Sequence, residues 1–213
     1  MKTIRTLFVA SVLASAASAA SATVIIDNST QGLYNNGLGD LSGTYDATTF
    51  PGPNSSEGDP TINPIAEPDL SLTPQLGADW LNGDYTGGSW SAGPVAIPTS
   101  WAINTETAIV YEIFLTSASN LLVELGVDNG IYTWLNGDYQ FGAMAPGGSS
   151  LSEYSYTIAN LSAGTHYFQV LREDHGGSTG YDIRVTATEV PEPATLGLLG
   201  LGLLGLALGR KKS

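Results

Sequence analysis

Residues 181–188 read Tyr-Asp-Ile-Arg-Val-Thr-Ala-Thr, with Tyr181, Ile183, Val185 and Ala187 alternating against Asp182, Arg184, Thr186 and Thr188. A spacing of two sends alternate side chains to opposite faces of an extended chain, so this octapeptide predicts a half-buried strand. The same period recurs at Ile109, Tyr111, Ile113 and Leu115, at Leu121, Val123, Leu125 and Val127, and at Tyr154, Tyr156 and Ile158. Turn signals separate these runs: Asp128-Asn129-Gly130, Asn136-Gly137-Asp138, Ala163-Gly164 and Gly176-Gly177. Asn-Gly suits a tight hairpin because both residues tolerate positive φ. From Thr105 onward the pattern predicts about six strands. Residues 23–27 and 80–85 each predict one more, giving an all-β, antiparallel sandwich.

Composition agrees. Glycine fills 26 of 213 positions and charged residues only 13%, against roughly 7% and 25% in an average domain. Helix-favouring Lys, Glu and Arg are therefore scarce. The length predicts one ordinary domain, spanning 23–189, plus processing segments. Residues 43–74 carry six prolines among Ser, Asn, Asp and Gly. They predict a long surface loop between the first strand and the main sheet.

Charge excludes one class of partner. Between residues 23 and 190 nineteen carboxylates face two arginines, Arg172 and Arg184, a formal charge of 2 − 19 = −17. Such a surface repels phosphate backbones, so no nucleic-acid partner is expected. The chain has no cysteine, which removes disulfides, thiolate metal sites and cysteine nucleophiles together.

Both ends read as addresses. Lys2 and Arg5 precede an apolar run over 7–20 that ends in small residues. This is the pattern of a secretory signal peptide over 1–22, removed by signal peptidase after Ala19 or Ala22. At the other end Val190-Pro191-Glu192-Pro193 leads into an apolar stretch over 194–208, then Arg210, Lys211 and Lys212. At ~1.5 Å per residue that stretch spans roughly 22 Å, short of a ~30 Å hydrocarbon core. It predicts a marginal transmembrane helix over 194–209, oriented by the terminal basic cluster, which would stay cytoplasmic.

These three parts in this order resemble the bacterial PEP-CTERM sorting signal, covering 190–213. The resemblance implies processing by an exosortase, transient contact with the inner membrane, and delivery to the cell surface or extracellular matrix. A simple membrane anchor is the alternative.

Within the body, residues 127–137 followed by Leu161-Ser162-Ala163-Gly164-Thr165-His166-Tyr167 and the glycine-rich 176–181 are similar to galactose-binding-like jelly-roll domains. The resemblance covers roughly 105–188 and implies a jelly-roll-like sandwich. Such domains often bind sugars, and many are purely structural.

Candidate chemistry is sparse. His166 opens a strand after a glycine turn and reads as structural. Arg172-Glu173-Asp174-His175 is the one dense ionisable cluster of the body. Arg172, Asp174 and His175 there could bind a sugar hydroxyl or a metal, or form a solvated turn. Trp80, Tyr85, Trp90, Trp101, Trp134 and Tyr139 could offer sugar-stacking faces, although aromatics in a small sandwich are mostly core. Trp134 and Tyr139 are the candidates for ligand contact. No EF-hand spacing is present, yet oxygen-rich loops at the N-terminal strand or at 172–182 leave room for calcium. The sequence reading is an exported, non-catalytic surface or matrix protein contacting exopolysaccharide. The alternatives are a carbohydrate-active hydrolase using 172–175 and a purely structural matrix protein.

The hexapeptide Trp-Leu-Asn-Gly-Asp-Tyr occurs twice, at 80–85 and 134–139. The flanks diverge, so it predicts two similar hairpins rather than a duplicated domain.

Overall fold

The computed structural model describes residues 21–45, 50, 64–71, 73–145 and 148–191. The leader over 1–20 and the segment over 192–213, with the helix expected at 194–209, lie outside them. Among the described residues no helix is long and apolar enough to cross a membrane. Residues 22–190 form one compact unit.

Among its described residues this unit has nine strands: β1 Ala22–Asp27, β2 Gln31–Gly39, β3 Val95–Ala96, β4 Glu106–Leu115, β5 Ser119–Leu135, β6 Asp138–Ala145, β7 Tyr154–Leu161, β8 Gly164–Glu173 and β9 Gly180–Glu189. Every pairing is antiparallel. The first part of β5 lies between β9 and β7, with β1 beyond β9; its second part lies between β8 and β6, with β4, β2 and β3 beyond β8. Two sheets thus share one bent 17-residue strand. They face each other over a core that includes Ile109, Tyr111, Leu121, Val123, Phe168, Val170, Ile183 and Val185. The expected antiparallel sandwich is what the chain forms.

The period-two reading holds where one sheet face meets solvent. Residues of β9 alternate between buried and half-buried along almost its whole length. The Asn136-Gly137 turn also matches: both residues have positive φ, 52° and 83°, and join β5 to β6 directly.

Three expectations are corrected, and one strand has no counterpart among them. Asp128-Asn129-Gly130 is not a turn, because β5 runs through it and leaves one sheet for the other there. Gly130 serves close approach instead: a Cβ would stand 2.7 Å from Glu173 Oε2. Residues 80–82 form a short 3-10 helix rather than a strand, closed by Gly83 at φ 91°. β2 carries no strong strand signal because Asn35, Asn36 and three glycines dilute it. Finally, the described part of the proline-rich segment is not a free surface loop. Phe50 and Ile65 within it, with Leu41 before it and Leu76 and Trp80 after it, are buried against the outer face of the second sheet, on Ala108, Val110, Tyr132, Trp134, Met144 and Leu171, so the described residues of 41–90 form a covering segment.

This third layer explains the unbroken burial of residues 125–135: that part of β5 is covered on both faces. Trp134 stacks edge to face on Trp80 and donates its indole N–H to Glu67 Oε1 at 2.7 Å. The Tyr139 hydroxyl donates to the Ile65 carbonyl at 2.7 Å. Both side chains therefore fasten the covering segment to the sheet.

Candidate functional site

Alternation along β8 splits the ionisable cluster that the sequence presents as one loop. Arg172 and Glu173 are the last two residues of the strand, so they point to opposite faces. Arg172 turns inward, level with Phe168 and Val170, and closes the end of the sandwich core with no exposed surface. Its Nε donates to Thr107 Oγ1 at 2.9 Å, one terminal nitrogen to the Pro98 carbonyl at 2.8 Å, and the other to the Tyr34 hydroxyl at 3.4 Å. The guanidinium carbon lies 4.3 Å from the ring centroid of Trp101 and 4.8 Å from that of Tyr181. A weakly hydrated planar cation tolerates such burial because π faces and fixed acceptors replace its water.

Glu173 and His175 lie on the opposite side of the strand. The Glu173 carboxylate pairs with His175 Nδ1 at 2.8 Å, and both side chains are fully buried. The His175 amide donates to Asn129 Oδ1 at 3.4 Å. Nearby, Glu106 accepts the Leu41 amide at 2.8 Å, which ties the covering segment to β4. Burial, with the charges of Glu173 and Asp40 beside it, pushes the Glu106 carboxyl up to about 8. Asp174 takes a third direction and accepts the Asn104 amide at 2.5 Å. Burial raises its carboxyl above the ordinary range.

An open site adjoins Arg172. Tyr34 of β2, Thr107 of β4 and the 98–105 segment enclose a cleft of about 250 Å³, lined by Tyr34, Asn36, Ser100, Trp101, Thr105 and Thr107. Trp101 is held firmly: its indole N–H donates to the Thr105 carbonyl at 2.8 Å, and its backbone exchanges bonds of 2.9 and 3.0 Å with the Thr179 side chain. Arg172 lies against Trp101, and the half-buried tryptophan lines the cleft. Ser100, Thr105 and Asn36 line the cleft with it, and Thr107 borders it with a buried hydroxyl that accepts from Arg172. An aromatic ring flanked by hydroxyls and an amide suits a polyhydroxylated ligand, which offers apolar C–H faces and exchangeable hydroxyls together.

Of the sequence candidates, Arg172 lies behind Trp101, fully buried and outside the lining of this cleft, whereas Asp174 and His175 belong to buried networks. Trp134 and Tyr139 lie elsewhere, beneath the covering segment. Tyr34, Asn36, Ser100, Thr105, Thr107 and Glu106 carry no motif, and only Trp101 was recognisable by its type. His166 acts structurally: Nδ1 lies 3.0 Å from the Asn136 amide and Nε2 2.9 Å from the Ser162 carbonyl, clamping two turns. A larger cavity of about 560 Å³ lies within the covering segment, but the one aromatic among its described lining residues, Trp80, is buried against Trp134. Among the described residues no group of three or more His, Asp or Glu is placed to hold a metal ion.

Residues 189–212 match the PEP-CTERM protein-sorting motif. The chain therefore carries a signal of that class, which implies export, surface association and processing by an exosortase. No curated protein matches the chain. Among solved structures it is similar to the CBM36-1 domain of a multidomain xylanase from the hindgut metagenome of Trinervitermes trinervoides. That match has 12% identity and a TM-score of 0.32, covering 81% of this chain and 100% of that one. The PA14 sugar-binding domain from an RTX adhesin matches at 14% identity and a TM-score of 0.32, covering 73% and 89%. A β-glucuronidase from an uncultured Clostridium species matches at 10% identity and a TM-score of 0.38, covering 81% of this chain and 30% of that one. The sandwich is established by its own strand pairing, independently of these likenesses.

Proposed function

We propose that this chain is an exported, non-catalytic surface or matrix protein whose sandwich contacts extracellular polysaccharide at the Trp101 cleft. The observation that carries this reading is a tryptophan locked by three hydrogen bonds and backed by a buried cation, set among hydroxyl and amide groups in an open cleft. Rigid aromatic anchors of this kind bind without a large entropic cost. The groups best suited to acid–base chemistry, Glu106, Glu173, Asp174 and His175, are all at most 1% exposed. Burial separates them from any polymeric substrate, which favours binding over turnover. Signal peptidase and exosortase would trim the ends, and transient membrane contact would precede release to the surface.

The test is a binding screen of the exported protein against neutral and acidic polysaccharides, with and without calcium. Saturable binding, weakened about tenfold by Trp101→Ala and partly restored by Trp101→Phe, is expected for a stacked aromatic anchor. Turnover of any glycan in the panel would overturn the non-catalytic reading. Binding that Trp101→Ala leaves unchanged would move the site elsewhere.

A further inference from the structure

The covering segment ends partway along the second sheet. Ala108 and Val110 of β4 and Leu171 of β8 are buried beneath it. On the same face Glu112, Phe114 and Thr165 are exposed and Tyr167 is half-buried. Phe114 is 69% exposed, well above any other exposed large apolar side chain among the described residues. At the boundary lies a cleft of about 340 Å³, bordered by Gln31, Pro94, Glu112, Tyr85 and Tyr167, with the two tyrosine rings edge to face at 6.4 Å. Glu112 pairs directly with Tyr167 across the strands, and Phe114 with Thr165. Phe114 and Tyr167 are therefore diagonal neighbours, within about 8 Å.

We infer that this open half of the sheet is a second polysaccharide-binding surface, for an uncharged, polyhydroxylated chain, and that the protein is bivalent. The aromatic rings supply apolar faces, while Glu112 and Gln31 accept and donate hydroxyl hydrogen bonds between them. A second copy is disfavoured as occupant because each body carries −17, and like net charges repel. The same repulsion, with Glu112 inside the patch, selects against uronate or phosphate polymers. The surface is separate from the Trp101 cleft. Thr107, in that cleft, and Phe114 are seven residues apart on β4, roughly 24 Å at ~3.4 Å per residue, and they point to opposite faces. One protein would therefore hold two chains and cross-link them.

The identity of the ligand rests on the carbohydrate reading above, and the second valence does not. The exported full chain, with Trp101→Ala, Phe114→Ala and the double variant, is run in affinity electrophoresis against hydroxyethyl cellulose, galactomannan and xylan, and mixed with each for viscosity. Phe114 is so exposed that its removal leaves the core intact. Each single variant is expected to bind about fivefold to tenfold more weakly, as for one lost stacking contact. The double variant should not bind, and the viscosity rise should vanish with either single change. Phe114→Ala matching wild type in both assays, with Trp101→Ala abolishing binding, overturns the second surface and leaves the first reading standing. Absence of wild-type binding to all three polymers overturns both. Concentration-dependent self-association that Phe114→Ala abolishes would make the patch a contact between copies and overturn the proposal.

Discussion

Trp80 and Trp134, the first residues of two identical hexapeptides, meet edge to face with ring centroids 5.5 Å apart. The two copies adopt different structures: one begins a short 3-10 helix, the other ends β5 and turns through Asn136-Gly137. Gln169 joins them, donating its amide to the Leu81 carbonyl at 2.8 Å and accepting the Gly137 amide at 3.1 Å. The echo in the sequence is thus a contact in space, between the covering segment and the sheet.

The tryptophan pair should be worth more than ordinary burial. Trp134→Ala removes the ring contacts and leaves Glu67 without its indole donor, and is expected to cost about 3–5 kcal/mol. A Trp80→Ala, Trp134→Ala double-mutant cycle should return a coupling of about 0.5–1.5 kcal/mol. Urea unfolding measures both, and strictly additive losses would deny the pairing any special role.

Stability should fall as pH rises from 4.5 to about 8. Glu106 ionises near pH 8 in the folded chain, well above its ordinary value of 4.5. From pH 4.5 upward the unfolded chain gives up this proton while the folded chain keeps it. The contribution of Glu106 is therefore complete below pH 4.5 and lost as pH rises through about 8. Glu106→Gln keeps an acceptor for the Leu41 amide but cannot ionise. It should match wild type near pH 4.5 and be the more stable protein at pH 8 to 9. Parallel pH profiles for the two proteins would remove the assignment.

Arg172→Lys keeps the charge and loses the planar stack and the forked donors. It should destabilise the fold by about 1–3 kcal/mol, because a compact ammonium cannot satisfy three acceptors spread around a guanidinium. It should also weaken polysaccharide binding at the Trp101 cleft, since the indole loses its backing. Unchanged binding at full occupancy of the folded state would separate Arg172 from the site.

Processing is testable by mass. The exported form is expected to begin after Ala19 or Ala22 and to lack Arg210, Lys211 and Lys212. An intact basic end on exported protein would replace removal of the tail with retention as an anchor.

Much of the sandwich was legible because Tyr181 to Ala187 and Leu121 to Val127 alternate where one face is wet and the other dry. Legibility failed where a strand is dry on both sides or polar throughout. Around Asp128-Asn129-Gly130 the local signal for a turn loses to pairing with β8 and β6, and β2 is too rich in Asn and Gly to announce itself. Trp134 looked like a platform because the sequence does not show that Phe50, Ile65 and Trp80 fold back over it. The Arg172 to His175 cluster stands out in the sequence as one stretch, yet the alternation of β8 carried to its end parts Arg172 from Glu173. The Trp101 cleft draws on β2, β4 and the 98–105 segment, so no single stretch of sequence could contain it.

A strand stitched into both sheets also changes how the molecule responds to pulling. Traction on β7 or β9 passes along β5 into β8 and β6 without crossing a side-chain interface, so neither sheet can peel away while the other stays whole. Under fluid shear the body should yield in one step, and amide protons on either side of residue 128 should exchange together.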